Sequence, residues 1–232
     1  MLDLSSIDPQ ILKVENFEEL VSTPFLGEIN AICWNRKLEG NFEEIVSKVE
    51  LIEGMMSLSL EELGALQLSK QGQLARDMIV EDFRLLESNG AAPMLNLINQ
   101  YERDDSFFVF PTDVYSFHVD RSPVPFDTFL CTYYGESSEI LPNDQAIQKV
   151  LIPELLTELR ELYGEDDGGF ESFLIEHFFD LHYQAKPKAK PISLGLGHMW
   201  RLAIDHPESQ VPPCIHRAPK EKVGQPRLMM IC

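Results

Sequence analysis

Between residues 106 and 134 the chain changes character, and this stretch limits the fold more than any other. Phe107-Phe-Val-Phe110, Val114-Tyr-Ser-Phe-His-Val-Asp120 and Phe126-Asp-Thr-Phe-Leu-Cys-Thr-Tyr-Tyr134 are rich in aromatic and β-branched residues. Turn formers bound them at Pro111-Thr-Asp113, Ser122-Pro123 and Gly135. Runs of this kind read as successive strands. β character returns at Ile192–Ile204 and in the final Pro226-Arg-Leu-Met-Met-Ile-Cys232, so the second half of the chain is a β core.

The sequence on either side reads as helix. Asp8 and Pro9 suit a helix start leading into Ile11, Leu12, Phe17, Leu20 and Val21. After a short apolar strand, Ile29-Asn-Ala-Ile-Cys-Trp34, helical spacing recurs in Phe42, Ile45, Val46 and Val49. Ser59 and Glu62 form a capping box for a helix, or a pair broken near Gly72, that stops at Asn89-Gly90, and Pro93 to Tyr101 could add a turn or two. A second helical block, Ala146–Tyr163 and Phe170–Tyr183, is divided by the acidic Glu165-Asp-Asp-Gly-Gly169 turn, and Lys186–Pro191 reads as a solvated loop. The expectation is one α+β domain over residues 1–232. Residues 1–105 would be a mainly helical layer, and 106–232 a β core with a helical insertion at about 144–185.

A net charge of -19 over 232 residues repels phosphate backbones and anionic bilayers, so nucleic acid and membrane are poor candidate partners. No run approaches the length of a membrane span, and the Met1–Asp8 stretch lacks the basic and apolar regions of a secretory leader. Cys33, Cys131, Cys214 and Cys232 are widely spaced and form no Cys-x-x-Cys pair, as expected of free thiols in a reducing cytoplasm.

All six histidines follow residue 117. Strand alternation puts His118 and Asp120 on one face and Val119 on the other, which supplies two of the three ligands of a two-His-one-carboxylate metal site. The packing alternative is a buried histidine bonded to a polar neighbour. Cys214-Ile-His216-Arg217-Ala-Pro219 lies some ten residues before the last strand, which carries Arg227. A third ligand followed by a guanidinium is the layout that holds a bidentate acid on a metal, the cation pairing with the acid's far carboxylate.

His118-x-Asp120, His216 and Arg227 together resemble the iron(II)/2-oxoglutarate-dependent oxygenase superfamily, whose fold is a double-stranded β-helix, the cupin-like jelly roll. More narrowly, His118-Val-Asp120, Leu130-Cys-Thr-Tyr-Tyr-Gly135, Leu141-Pro-Asn143, His216-Arg-Ala-Pro219, Arg227-Leu-Met-Met230 and Ile29–Arg36 resemble a bacterial domain family of unknown function, which supplies no substrate. The resemblance implies that His118, Asp120 and His216 bind iron(II) and that Arg227 pairs with the distal carboxylate of 2-oxoglutarate. It further implies that dioxygen is consumed as the co-substrate decays to succinate and carbon dioxide, and that a C–H bond of a small, possibly amino-acid-derived, molecule is oxidised.

Several residues compete for roles. His198 and His206 are rival third ligands, but only His216 has the Arg-Ala-Pro context and a downstream arginine. Arg217 and Arg121 are alternative carboxylate partners, with Arg121 expected at the mouth. Thr132, Tyr133 and Tyr134 follow the ligand strand and are candidates to line the pocket or touch the co-substrate. On a helix, His177 and Asp180 would share a face while His182 would point about 140° away, so that segment reads as an amphipathic helix packing Phe173, Phe178 and Leu181. Two other functions stay open: a cupin-like metal hydrolase, with Glu136 or Glu139 as general base, and a jelly-roll binding module in which the histidines merely pack.

Overall fold

The computed structural model describes residues 8–51, 54–104, 108–165, 167–220, 222 and 224–232. The Met1–Ile7 stretch read for a leader, Phe107 of the first aromatic run and Asp166 of the acidic turn lie outside them. Four strands precede residue 100: β1 (Ile11–Val14), β2 (Ala31–Trp34), β3 (Met55–Leu58) and β4 (Met94–Ile98). After them come β5 (Phe117–His118), β6 (Thr128–Tyr134), β7 (Glu139–Ile140), β8 (Ala146–Gln148), β9 (His182–Ala185), β10 (Ile192–Ser193), β11 (Met199–Leu202), β12 (His216–Arg217) and β13 (Arg227–Ile231). The α-helices are α1 (Phe17–Ser22), α2 (Phe42–Lys48), α3 (Leu60–Ala65), α4 (Lys70–Ser88), α5 (Pro153–Tyr163) and α6 (Phe170–Glu176).

The strands form two sheets. One runs β1-β2-β11-β6-β13-β4-β3 and the other β10-β7-β12-β5-β9-β8. Every pairing is antiparallel except β1 with β2. Alternation along β13 separates the faces of the larger sheet. Leu228 and Met230 join Leu20, Leu63, Ile79 and Leu86 in the core beneath the N-terminal helices, whereas Met229 packs with Leu130, Trp200 and Ile140. Because Ile140 belongs to the smaller sheet, that second cluster fills the space between the sheets. The outer face of the smaller sheet carries its own cluster of Phe117, Val119, Leu141, Leu181 and Ile215.

Local chemistry fixes the helix ends. The Ser59/Glu62 capping box forms and opens α3, and Asn16 and Asn41 accept from the amides of Glu19 and Glu44 to open α1 and α2. Helix α4 is pinned to the sheet through a buried acid. Asp82 accepts from both terminal nitrogens of Arg36, Nη1 at 2.6 Å, and from the Tyr133 hydroxyl at 2.6 Å.

The helical N-terminal layer needs correction, since residues before 100 supply four strands of the larger sheet. Asn16 offers a better cap than Asp8, so the helix starts at Phe17 and Ile11–Val14 pairs with Ala31–Trp34 instead. Met94–Ile98 is a strand between β13 and β3 and not extra helix. Short apolar runs fit either structure in isolation, and the neighbouring strand decides between them. The break between α3 and α4 falls before Ser69, which caps α4, and not at Gly72. The insertion is helical only in its middle: Ala146–Gln148 and His182–Ala185 pair with each other, and β9 continues onto β5. The described part of the first aromatic run forms no strand; Phe110 packs with Val150, Leu159 and Phe179. Only Phe117–His118 of the second run is strand.

Candidate metal centre

The site grows from one register. His216 on β12 stands directly opposite His118 on β5, and on the other side of β5 His182 on β9 also stands opposite His118. Directly paired residues share a sheet face, so three imidazoles form a row. Ile140, the partner of His216 on β7, packs between the sheets, which identifies the face of the row as the inner one. Val119 lies in the outer cluster and Asp120 returns to the inner side, as alternation requires.

One ligand atom from each of His118, Asp120 and His216 lies within 4.8 Å of the others, a grouping that can hold a metal ion. Asp120 Oδ1 is 3.8 Å from His118 Nε2, and Oδ2 is 3.6 Å from His216 Nε2. Both rings are oriented from behind: Nδ1 of His118 meets the Ser116 carbonyl at 2.8 Å and Nδ1 of His216 meets the Cys214 carbonyl at 3.2 Å. With a proton on each Nδ1, both Nε2 lone pairs converge on Asp120. This backing is usual for metal-binding histidines. The Thr128 hydroxyl donates to Asp120 Oδ2, and the Asp205 amide donates to the Asp120 carbonyl at 2.8 Å. Side-chain exposure is 14% for His118, 7% for His216 and 36% for Asp120, so the cluster opens on the carboxylate side.

The electrostatics suit a cation. Burial, then His216, pushes His118 down to about 4, leaving the neutral ring that coordination needs. Burial works against ionising Asp120, but His216, the Thr128 hydroxyl and His118 outweigh it and hold the carboxyl below its ordinary value.

Arg227 occupies the inner face of the other sheet, in step with Met229. It is 6% exposed, donates to Tyr101 Oη at 3.3 Å and Ser138 Oγ at 3.1 Å, and leaves Nε without a partner. Among the described residues it makes no ion pair. Gly135 permits this placement: at φ 86° a Cβ there would stand 2.6 Å from the Pro226 carbonyl and 3.1 Å from Arg227 Cα. Ser138 is two residues from Ile140, or about 7 Å of extended chain, so Arg227 is tethered close to the His216 register.

The remaining candidates separate cleanly. Thr132 is opposite Met229 and faces inward with its hydroxyl unpartnered. Tyr133 is not brought to the site: alternation sends it to the helix side, where it stacks on Phe42 and bonds Asp82. Tyr134 also packs against the helix-side core, because the register shift opposite Leu228 and Met229 breaks the alternation there. Arg217 is not at the site either, being on the outer face, bonded to Glu139 at 2.7 Å and lying over the Phe117 ring. Arg121 bridges Asp205 and Asp180. His198 accepts from the Arg36 amide and His206 from the Glu208 amide, and neither joins the cluster. Sequence reasoning missed Thr128, Ser138 and the row position of His182. None carries a local signal, because each acts through a neighbour distant in the chain.

No protein-family model, curated protein or solved structure matches the chain. What the centre does is therefore read from its own atoms. No helix among the described residues is long and apolar enough to cross a membrane, and all four cysteines are free.

Proposed function

We propose that the protein is an iron(II)/2-oxoglutarate-dependent oxygenase that oxidises a C–H bond of a small molecule, on a double-stranded β-helix core. The observation that carries this reading is the pairing of His118 with His216, with Asp120 completing a facial set of two imidazoles and one carboxylate. Such a set suits non-haem iron with positions left open for other ligands. Two facing, mostly antiparallel sheets with the cluster on an inner face support the fold assignment.

The donor set fits iron(II), and Arg227 fits the co-substrate. A buried guanidinium with an orphaned Nε and no carboxylate partner among the described residues is costly unless an anion completes it. When bound, iron and 2-oxoglutarate would supply oxidising power from dioxygen, with succinate and carbon dioxide as co-products. The chain's own part is positional. His118, Asp120 and His216 hold the metal, and Ser116, Cys214 and Thr128 fix their orientation. Arg227, steadied by Tyr101 and Ser138, receives the distal carboxylate, and Met229, Leu130 and Ile140 keep the space between the sheets apolar.

The hydrolase alternative is weakened by its candidate bases. Glu139 is bonded to Arg217 on the outer face and Glu136 is paired with Lys222. Anaerobic addition of iron(II) and 2-oxoglutarate tests the proposal. A weak visible charge-transfer band is expected for the wild type and none for His118→Ala. Metal binding with no band would favour the hydrolase, and no metal binding would leave a non-catalytic binding module.

A further inference from the structure

The imidazole row has a third member that the metal cluster does not use. His182 is 3% exposed, its ring centre is 5.8 Å from that of His118, and its Nδ1 meets no partner. With the ring proton on Nε2, the buried and unpartnered Nδ1 presents a lone pair that asks for a donor. A buried acceptor of this kind is satisfied by a ligand or by water.

Lys149, which follows β8 directly, lies beyond His182 in the same direction. It is half-buried, donates to Ser116 Oγ at 2.8 Å, and sits with Nζ 4.4 Å from the centre of the Phe110 ring. Phe110 is also 6.4 Å from the His182 ring, so one aromatic side chain borders both groups. Ser116 is the residue whose carbonyl orients His118, which ties Lys149 to the metal centre through a single residue. Among the described residues Lys149 has no ion pair. The acid whose field reaches it, Asp113, faces Arg103 at 3.8 Å. Burial pushes Lys149 down to about 8, the mark of an ammonium short of compensation.

We propose that Lys149 and His182 form the substrate subsite of this centre, and that the substrate is a small carboxylic acid bearing an amine or hydroxyl. Its carboxylate is received by the Lys149 ammonium, and its N–H or O–H donates to His182 Nδ1. One point cation beside an aromatic ring, with no guanidinium fork, matches a monoanionic carboxylate better than a phosphate dianion. Arg227, on the opposite sheet, remains free for the co-substrate. The inference rests on the oxygenase reading for its setting, but its test does not need turnover.

Calorimetric titration of the zinc(II)-loaded protein, with 2-oxoglutarate present, provides that test. The probes are a panel of L-amino acids and 2-hydroxy acids, each beside its carboxamide, applied to wild type, Lys149→Met, Lys149→Arg and Arg227→Met. At least one acid should bind roughly tenfold to a hundredfold more tightly than its amide, the worth of one charge-assisted hydrogen bond. Lys149→Met should erase that preference and Lys149→Arg should keep part of it, with unchanged melting temperatures showing that both fold. Equal binding of acids and amides, binding of no acid, or loss of the preference in Arg227→Met but not in Lys149→Met would overturn the assignment. The charge-transfer band, recorded on iron-loaded aliquots, reports on the oxygenase reading separately. Acid selectivity without a band would retain the subsite and remove the oxygenase.

Discussion

Acid should destabilise this protein well above the range where its carboxylates titrate, because two of the row histidines are buried neutral. The ordinary imidazole value is 6.5, whereas burial followed by the field of His118 drives His182 down to about 3, and burial followed by His216 drives His118 to about 4. Between these values the unfolded chain binds protons that the folded chain refuses, so stability is full above 6.5 and falls as pH drops toward the folded values. From pH 6.5 to about 4.5 the loss is at most about 2.7 kcal/mol for each histidine, and about 5 kcal/mol for both. That approaches the whole stability of a small marginal domain, roughly 5–15 kcal/mol. Urea unfolding of the chelator-treated protein at steps between pH 7 and 4.5 measures it directly. His182→Gln, which removes one titrating ring, should lose about half as much over the same window. Identical losses in wild type and variant would refute the reasoning, since His182 would then titrate equally in both states.

Other consequences follow from single contacts. Thr128→Val removes the hydroxyl that holds Asp120 and should weaken metal binding about tenfold to a hundredfold, measurable as a smaller metal-induced rise in melting temperature. Arg227→Met should lose 2-oxoglutarate binding by calorimetry while iron affinity stays within a few-fold, because the guanidinium contacts Tyr101 and Ser138 and no metal ligand. Asp82→Asn leaves the buried Arg36 unpaired beneath α4 and should cost about 3–5 kcal/mol of folding stability by denaturant titration, with the metal cluster unchanged.

Much of the site was legible because a strand's period is two. His118-Val119-Asp120 announces a shared face for its outer members, and Val119 does turn into the outer cluster. The same rule, applied to Leu130–Tyr134, separates inward Thr132 from Tyr133, whose hydroxyl meets Asp82 under the helices. Helix caps such as Ser59/Glu62 were legible as well, being closed within one turn. Short apolar pieces were not. Ile11–Val14 and Met94–Ile98 each suit a helix or a strand, and only the strands beside them resolve the choice.

The sequence by itself determined the aromatic and β-branched strand of the second half, the facing pair His118 and Asp120, and the arginine on the last strand, since these follow from residue type and local period. Local context favoured His216 over His198 and His206, but only the tertiary structure sets it opposite His118 and beside Asp120. Tertiary structure also decided that residues before 100 complete the larger sheet, and that His182 leaves a helix pattern to stand beside His118. The physical reason is that sheet pairing is a long-range choice. A strand's partner lies 98 residues away from His118 to His216 and as much as 171 away from Ala31 to Leu202, and the free energy that selects it comes from the buried face that the two strands build together.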